Sequence, residues 1–315
     1  MKLDKLSVDE IRAKLLEGSQ RVTAHLVRQL ARDPRQGVRK IYQIAKKQYE
    51  RQRAEQLRLQ NMLNFERVLW KSGIQVIAGV DEVGVGPLAG PVIAAAVVFH
   101  PGTEIAGIDD SKRLDPVERD QLERLIRERA AAIGIGTAEV GEIDRLNIYH
   151  AGLLAMRRAV AALPEQPQHL LVDARMIPDL AIPQNSFCKG DGLNFSIAAA
   201  SIIAKTHRDR LMIDLEGRYP GYGFAQHKGY STPEHQDAIR RLGPCPIHRM
   251  SYPFIRELCG DFADLFYALK QQLAEVDSTQ SLRRFEAELK TRSAELGENE
   301  LRKLKIMVSR RWKTI

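Results

Sequence analysis

The chain has 315 residues, 44% hydrophobic and 28% charged, with 48 Lys and Arg against 40 Asp and Glu for a formal net charge of +8. No apolar run reaches the roughly 18 residues a membrane-spanning helix needs, which excludes such a span. The three cysteines, Cys188, Cys245 and Cys259, form no CxxC pair, which argues against a disulfide framework or a thiolate zinc site.

The opening residues, MKLDKLSVDEIRAKLLEG, lack the long apolar core of a secretory signal, so a cytoplasmic location is expected. The basic excess is local. Residues 1–71 carry 17 basic and 8 acidic side chains, residues 72–255 carry 19 and 22, and residues 256–315 carry 12 and 10. A basic arm beside a slightly acidic body points to a polyanion held near a site that needs carboxylates. A solvated helical face is the alternative reading.

In chain order, Ser7 and Glu10 form a Ser-x-x-Glu helix start, followed by Ile11, Leu15 and Leu16 at helical spacing. Asp33-Pro34 predicts a break. Val38, Ile41, Tyr42 and Ile44 then give another apolar face, and no Gly or Pro interrupts residues 38–72. The arm reads as helices that need something to pack on. Strands are predicted at Ile74–Val80, Val92–Phe99, Ile133–Val140 and His169–Val172, with helices over Glu142–Leu163 and Ser196–Lys205. In the tail, Phe262, Leu265, Phe266, Leu269 and Leu273, then Leu282, Phe285 and Leu289, then Leu301, Leu304 and Val308 mark three helices. Asp277-Ser278-Thr279 and Gly297 are the turns between them. The expected organisation is a basic helical extension (1–71), an α/β domain with a mixed sheet flanked by helices (72–255) and a helical C-terminal extension (256–315).

The chemistry concentrates where apolar strands end in acids. Ile77-Ala-Gly-Val runs into Asp81-Glu82 and then a turn with Gly84, Gly86 and Gly90, while His169-Leu-Leu-Val ends in Asp173. Asp191 sits in Lys-Gly-Asp before the Ser196 helix, and Asp209 lies further along in Arg208-Asp209. A carboxylate at the end of an apolar strand is costly unless it is paired or holds a cation. Adjacent strand residues face opposite ways, so Asp81 and Glu82 share one site only if the strand bends. Several acids without a cysteine or His-x-x-x-His pattern suit oxygen-only ligation of Mg²⁺ or Mn²⁺, as in two-metal phosphoryl-transfer sites. Taken alone, each acid reads as structural rather than catalytic.

The strings IAGVDEVGVGPLAGPV, DDSKRLD, EIDRLNIYHA, LLVDA, KGD, SIAAASIIAKTHRDRLM and YGFAQHKGYSTPEH together resemble bacterial ribonuclease HII, in family order over roughly residues 72–255. The arm, with Asp33-Pro34-Arg35, is similar to the N-terminal extension of longer members; the tail lies outside the usual pattern. The resemblance implies an RNase H-like fold that cleaves the RNA strand of RNA–DNA hybrids and incises 5′ of single ribonucleotides in duplex DNA, leaving a 3′-hydroxyl and a 5′-phosphate. It implies Asp81, Glu82, Asp173 and Asp191 as catalytic metal ligands for two Mg²⁺ or Mn²⁺ ions. It also implies Tyr230 stacking by the ribose at an RNA–DNA junction, Gly84 and Gly86 reading the 2′-hydroxyl through backbone, Lys112 and Lys205 as phosphate contacts, and Asp209 in a supporting role. A monomer that binds no membrane is expected, with no partner assigned to the tail. One residue departs: the family's Gly-Arg-Gly reads Gly84-Val85-Gly86, which removes a guanidinium and places a stiff β-branched residue in a turn. Two readings therefore stand, an active nuclease with weakened substrate binding, or a hybrid-binding protein crippled at this turn.

Overall fold

Five strands form one mixed sheet, ordered β3-β2-β1-β4-β5, in a computed structural model that describes residues 6–17, 22–259 and 262–312. β1 (Ile77–Val83) pairs antiparallel with β2 (Val92–Phe99), and β2 pairs antiparallel with β3 (Ala130–Ala138). On the other side β4 (His169–Asp173) and β5 (Gln184–Phe187) run parallel to β1. Every residue of β2 is buried, the pattern of a strand covered on both faces, and VIAAAVVF supplies no polar side chain that would object.

The chain divides into two compact units. The first comprises Met1–Val85, Val92–Ala138 and Gly152–Arg210 and carries the sheet. Helices lie close on that sheet because its facing residues are small. A Cβ on Gly136 or Gly134 would come within 2.1 Å of the Ala155 or Ala159 carbonyl oxygen. One on Gly79 would come within 2.1 Å of the Ser196 carbonyl carbon.

The arm also belongs to this unit. It holds α1 (Val8–Arg12, continuing as a π turn through Ala13–Glu17), α2 (Ala24–Ala31), α3 (Gln36–Met62) and α4 (Asn64–Lys71). The Ser7–Glu10 capping box forms, with bonds of 3.2 and 2.7 Å, and the chain breaks between α2 and α3 at Asp33-Pro34. Residues 1–5 and 18–21 of the expected helical arm lie outside the described residues. The arm does build a small core of its own, against the sequence expectation, from Ile11, Leu15, Leu26, Leu30, Val38 and Ile41. Its far end docks on the loop after β2: the Gly107 amide donates to Glu55 (2.8 Å), and Arg58 donates to the Ile108 carbonyl (2.8 Å).

The second unit comprises Gly86–Pro91, Glu139–Ala151 and Leu211–Ile315. One cluster there gathers Leu88, Met212, Tyr222, Phe224, Ile239 and Ile255. The tail forms the three expected helices, Asp264–Ala274, Thr279–Thr291 and Glu298–Arg311, around Phe266, Leu269, Leu282, Phe285, Leu289 and Leu304. Among the described residues no helix is long and apolar enough to cross a membrane.

Several elements differ from expectation. β1 runs on through both acids to Val83, because ladder bonds to β2 continue as far as Val83 opposite Ile93. The helix expected over Glu142–Leu163 is two, Val140–Leu146 and Ile148–Ala161, split at Asn147. Asparagine tolerates the φ of 70° found there, and its Oδ1 accepts from the Tyr149 and His150 amides at 3.0 and 3.2 Å. The alanine-rich helix, α5 here, is longer than expected, spanning Phe195–Arg218. β5, with the sequence QNSF, carries no apolar alternation to announce it.

Candidate active site

β1 and β4 are parallel and in register, Val80 beside Val172, so the acids that follow, Asp81 and Asp173, reach the same edge of the sheet. Asp191 joins them from a 3₁₀ turn, Gly190–Gly192, just before α5. The Gly190 amide donates to Asp173 Oδ1 at 2.7 Å, which ties this turn to the end of β4. Two residues next to the acids are non-glycines at positive φ: Ala174 (54°) and Lys189 (60°), a strain that proteins keep where geometry matters.

The electrostatics are those of crowded acids. Burial raises the Asp81 carboxyl well above the usual range, repulsion from Glu82, Asp173 and Asp191 adds to this, and the Ser201 hydroxyl opposes it. Glu82 is pushed up to about 7, by burial first and then Asp173, against Arg175 and Lys112. Asp173 is also raised by burial, with the Gly190 amide opposing. Lys112 Nζ lies 3.4 Å from Asp191 Oδ2 and 3.9 Å from Asp110 Oδ1. Burial disfavours its charge, yet Asp191, Asp110 and Asp81 together hold the ammonium above its ordinary value. A cleft of about 670 Å³ opens here, lined by Asp173, Asp191, Lys112, Arg113 and Lys189 among others.

Whether these acids fit a cation can be judged from the donors. All are hard oxygens, their mutual repulsion is what a cation relieves, and Glu82 Oε2 is buried without a hydrogen-bond partner. Among the described residues, no group of three His, Cys, Asp or Glu side chains is arranged to hold a metal ion as it stands. An ion would thus be held by part of the set, with water completing its shell. That is how Mg²⁺ commonly binds, since it keeps several of its waters.

The structure brings Asp81, Glu82, Asp173, Asp191 and Lys112 together, as the sequence suggested. It sets Lys205 and Asp209 apart as an ion pair one turn apart on α5, Nζ to Oδ1 2.7 Å. Burial pulls the Lys205 ammonium down, Asp209 opposes this, and Arg119 and Arg208 add to it. In the turn, the positive φ (93°) falls on Gly84 and not on Val85, so the valine imposes no strain of the kind expected.

Within the second unit, a Cβ on Gly86 would touch Tyr230 Cε1 at 3.8 Å. The Leu88 amide donates to the Gly229 carbonyl (2.8 Å), and the buried Arg249 donates twice to the Gly90 carbonyl (2.9 and 2.8 Å). His235 Nδ1 contacts the Tyr230 carbonyl at 2.8 Å, and its Nε2 lies 3.1 Å from His248 Nε2. The sequence offered no cue to Arg249, His235 or His248, since single polar residues in mixed segments read as surface. Nor did it single out Glu66, which is fully buried.

Comparison with known proteins identifies the family. The family model described as Ribonuclease HII matches residues 78–254, and that of the Ribonuclease HII N-terminal domain matches residues 7–70. Ribonuclease HII of Myxococcus xanthus is 49% identical over 255 residues, covering 81% of this chain and 87% of the relative. That of Geobacillus thermodenitrificans is 49% identical over 256 residues, covering 81% and 97%. The crystal structure of ribonuclease H2 from Pyrococcus horikoshii superposes with a TM-score of 0.52 at 26% identity, covering 59% of this chain and 98% of that one. On its fold, its sequence and its matched segments, the chain belongs to the ribonuclease HII family, the type II ribonucleases H.

Proposed function

We propose that the chain is an endonuclease that cuts the RNA strand of RNA–DNA hybrids and nicks duplex DNA 5′ of a single embedded ribonucleotide, leaving a 3′-hydroxyl and a 5′-phosphate. The observation that carries this reading is the gathering of Asp81, Glu82, Asp173 and Asp191 at one edge of the sheet, with burial and mutual repulsion resisting their charge. These four residues would hold Mg²⁺ or Mn²⁺. Such cations, when bound, supply Lewis acidity to the phosphorus oxygens and to the attacking and leaving groups.

The chain's own residues do the rest. Lys112 brings a cation to the cleft rim, where a substrate phosphate competes with Asp191 for it. The Gly190 amide fixes one oxygen of Asp173 beside the turn that carries Asp191. Tyr230 presents a half-exposed ring for a sugar or base to stack on, and Gly86 beside it lets backbone approach a ribose closely enough to read its 2′-hydroxyl. Val85 removes one phosphate contact without distorting the turn, so binding weakens while the carboxylates are unaffected.

The test is cleavage of duplex DNA carrying one ribonucleotide, with Mg²⁺ or Mn²⁺, by the chain and by Asp81→Asn and Val85→Arg. A nick 5′ of the ribonucleotide that disappears in Asp81→Asn supports the reading. No nick from the native chain but cleavage by Val85→Arg would assign it instead a hybrid-binding role, disabled at the turn. Silence from all three refutes the nuclease reading.

A further inference from the structure

Glu66 sits on α4, in the last turns of the arm before β1, and none of its surface reaches solvent. Its carboxylate accepts three hydrogen bonds. Ser196 donates from its amide (3.1 Å) and its hydroxyl (2.7 Å) to Oε1, and Asn194 donates from Nδ2 (3.1 Å) to Oε2. Burying a carboxylate is expensive, and an apolar residue would fill the same space at less cost, so packing alone does not explain it.

The two partners stand where the acids of the cleft are set. Asn194 precedes α5, and its Oδ1 accepts from the Ile197 amide at 3.1 Å. Its own amide donates to the Gly190 carbonyl (2.8 Å), and the Gly190 amide in turn holds Asp173 (2.7 Å), with Asp191 the next residue along. Ser196 is the residue against which Gly79 packs with no room for a Cβ, two positions before Asp81. One carboxylate therefore fixes both the turn that carries Asp191 and the helix end against which β1 is seated.

We propose that Glu66 is a positioning residue: by clamping Asn194 and Ser196 it sets the spacing between the β1 acids and the Asp173–Asp191 pair, so that the arm governs the cation affinity of the cleft. This rests on reading the four acids as cation ligands. The arm would then have a role in the site distinct from any contact with nucleic acid.

The experiment is calorimetric titration of Mn²⁺ into the full-length chain without substrate. Glu66→Gln keeps the shape but turns a donor toward Asn194 Nδ2, donor against donor. Mn²⁺ binding should weaken about tenfold, the scale on which residues that orient metal ligands act. Adding Asn194→Asp to Glu66→Gln reverses the polarity: the amide now donates to the new carboxylate, whose second oxygen still accepts from Ile197. Affinity should return to within about threefold of the native value, a recovery that general destabilisation would not produce. Native Mn²⁺ affinity in Glu66→Gln, whatever its melting temperature, overturns the proposal, as does a double variant that folds without recovery. Should Glu66→Gln not fold, Ser196→Ala deletes one bond and leaves the carboxylate; Mn²⁺ binding should fall roughly threefold, and no change overturns the proposal. A native chain that binds no Mn²⁺ overturns the reading of the four acids, and this proposal with it.

Discussion

His235 and His248 are buried side by side, 0% and 1% exposed, with their Nε2 atoms 3.1 Å apart. One Nε2 must donate and the other accept. His248 Nδ1 faces both the Cys245 amide (2.8 Å) and the Cys245 carbonyl (3.2 Å), and His235 Nδ1 faces the Tyr230 carbonyl. The two facing Nε2 atoms cannot both donate, so the pair is not satisfied with both rings charged. Burial holds each down to about 4, against an ordinary value of 6.5. Above pH 6.5 neither the native nor the unfolded state binds the proton, so nothing is lost. As pH falls below 6.5 the unfolded chain takes it up while the native state refuses it until about 4, so stability declines across that window. For one histidine with these values, the loss between about pH 7.5 and about pH 5 is about 2 kcal/mol. Glu82, raised to about 7, acts with the opposite sign, gaining native-state protons as pH falls below that value. Its effect cancels when the native chain is compared with His235→Gln. Urea unfolding followed by circular dichroism, on both proteins at both pH values, should show the native chain losing about 2 kcal/mol more than the variant. Equal losses would refute the neutral-pair argument.

Three further outcomes are expected. Gly79→Ala, whose methyl would meet the Ser196 backbone at 2.1 Å, should cost about 3 kcal/mol or more by urea unfolding, and a cost under about 1 kcal/mol would contradict the packing described. Val85→Arg should steepen the dependence of log K for a hybrid on log salt by about 0.9, one phosphate's worth; identical slopes would mean the arginine makes no such contact. Replacing the exposed Lys40, Lys47 and Arg51 of α3 by Gln should flatten that slope, by up to about 2.7 if all three meet phosphates. If only thermal stability changes, the arm does not touch the nucleic acid.

Much of the site was legible because the signal was a conflict: IAGV and LLV are strands that ought to end in something neutral, and each ends in an acid. The helix starts were legible where caps are local, as at Ser7 and Glu10. Features that depend on distant partners left no such mark. Glu66 follows Phe65 in a helix whose exposed neighbours suggest a surface residue, and only the fold brings Asn194 and Ser196 to it. β5 is an edge strand held by ladder bonds to β4, so QNSF forms without the apolar face that would reveal it. Asn147 was hidden inside a pattern periodic on both sides, since periodicity does not register a single residue at positive φ. The ion pair of Lys205 with Asp209 was likewise hidden, since the motif does not show which charges meet on one helix face.

The continuation of β1 through Asp81 and Glu82 means that the two acids are not interchangeable. Asp81 lies opposite Ala95 and Glu82 opposite Ala94, so each points to its own face of the sheet and each has a methyl for a neighbour. The shorter acid occupies the buried position, and the longer one is only partly buried. A chain reading Glu-Asp at this point would keep the same charge and the same atoms, yet place the longer side chain in the more buried position.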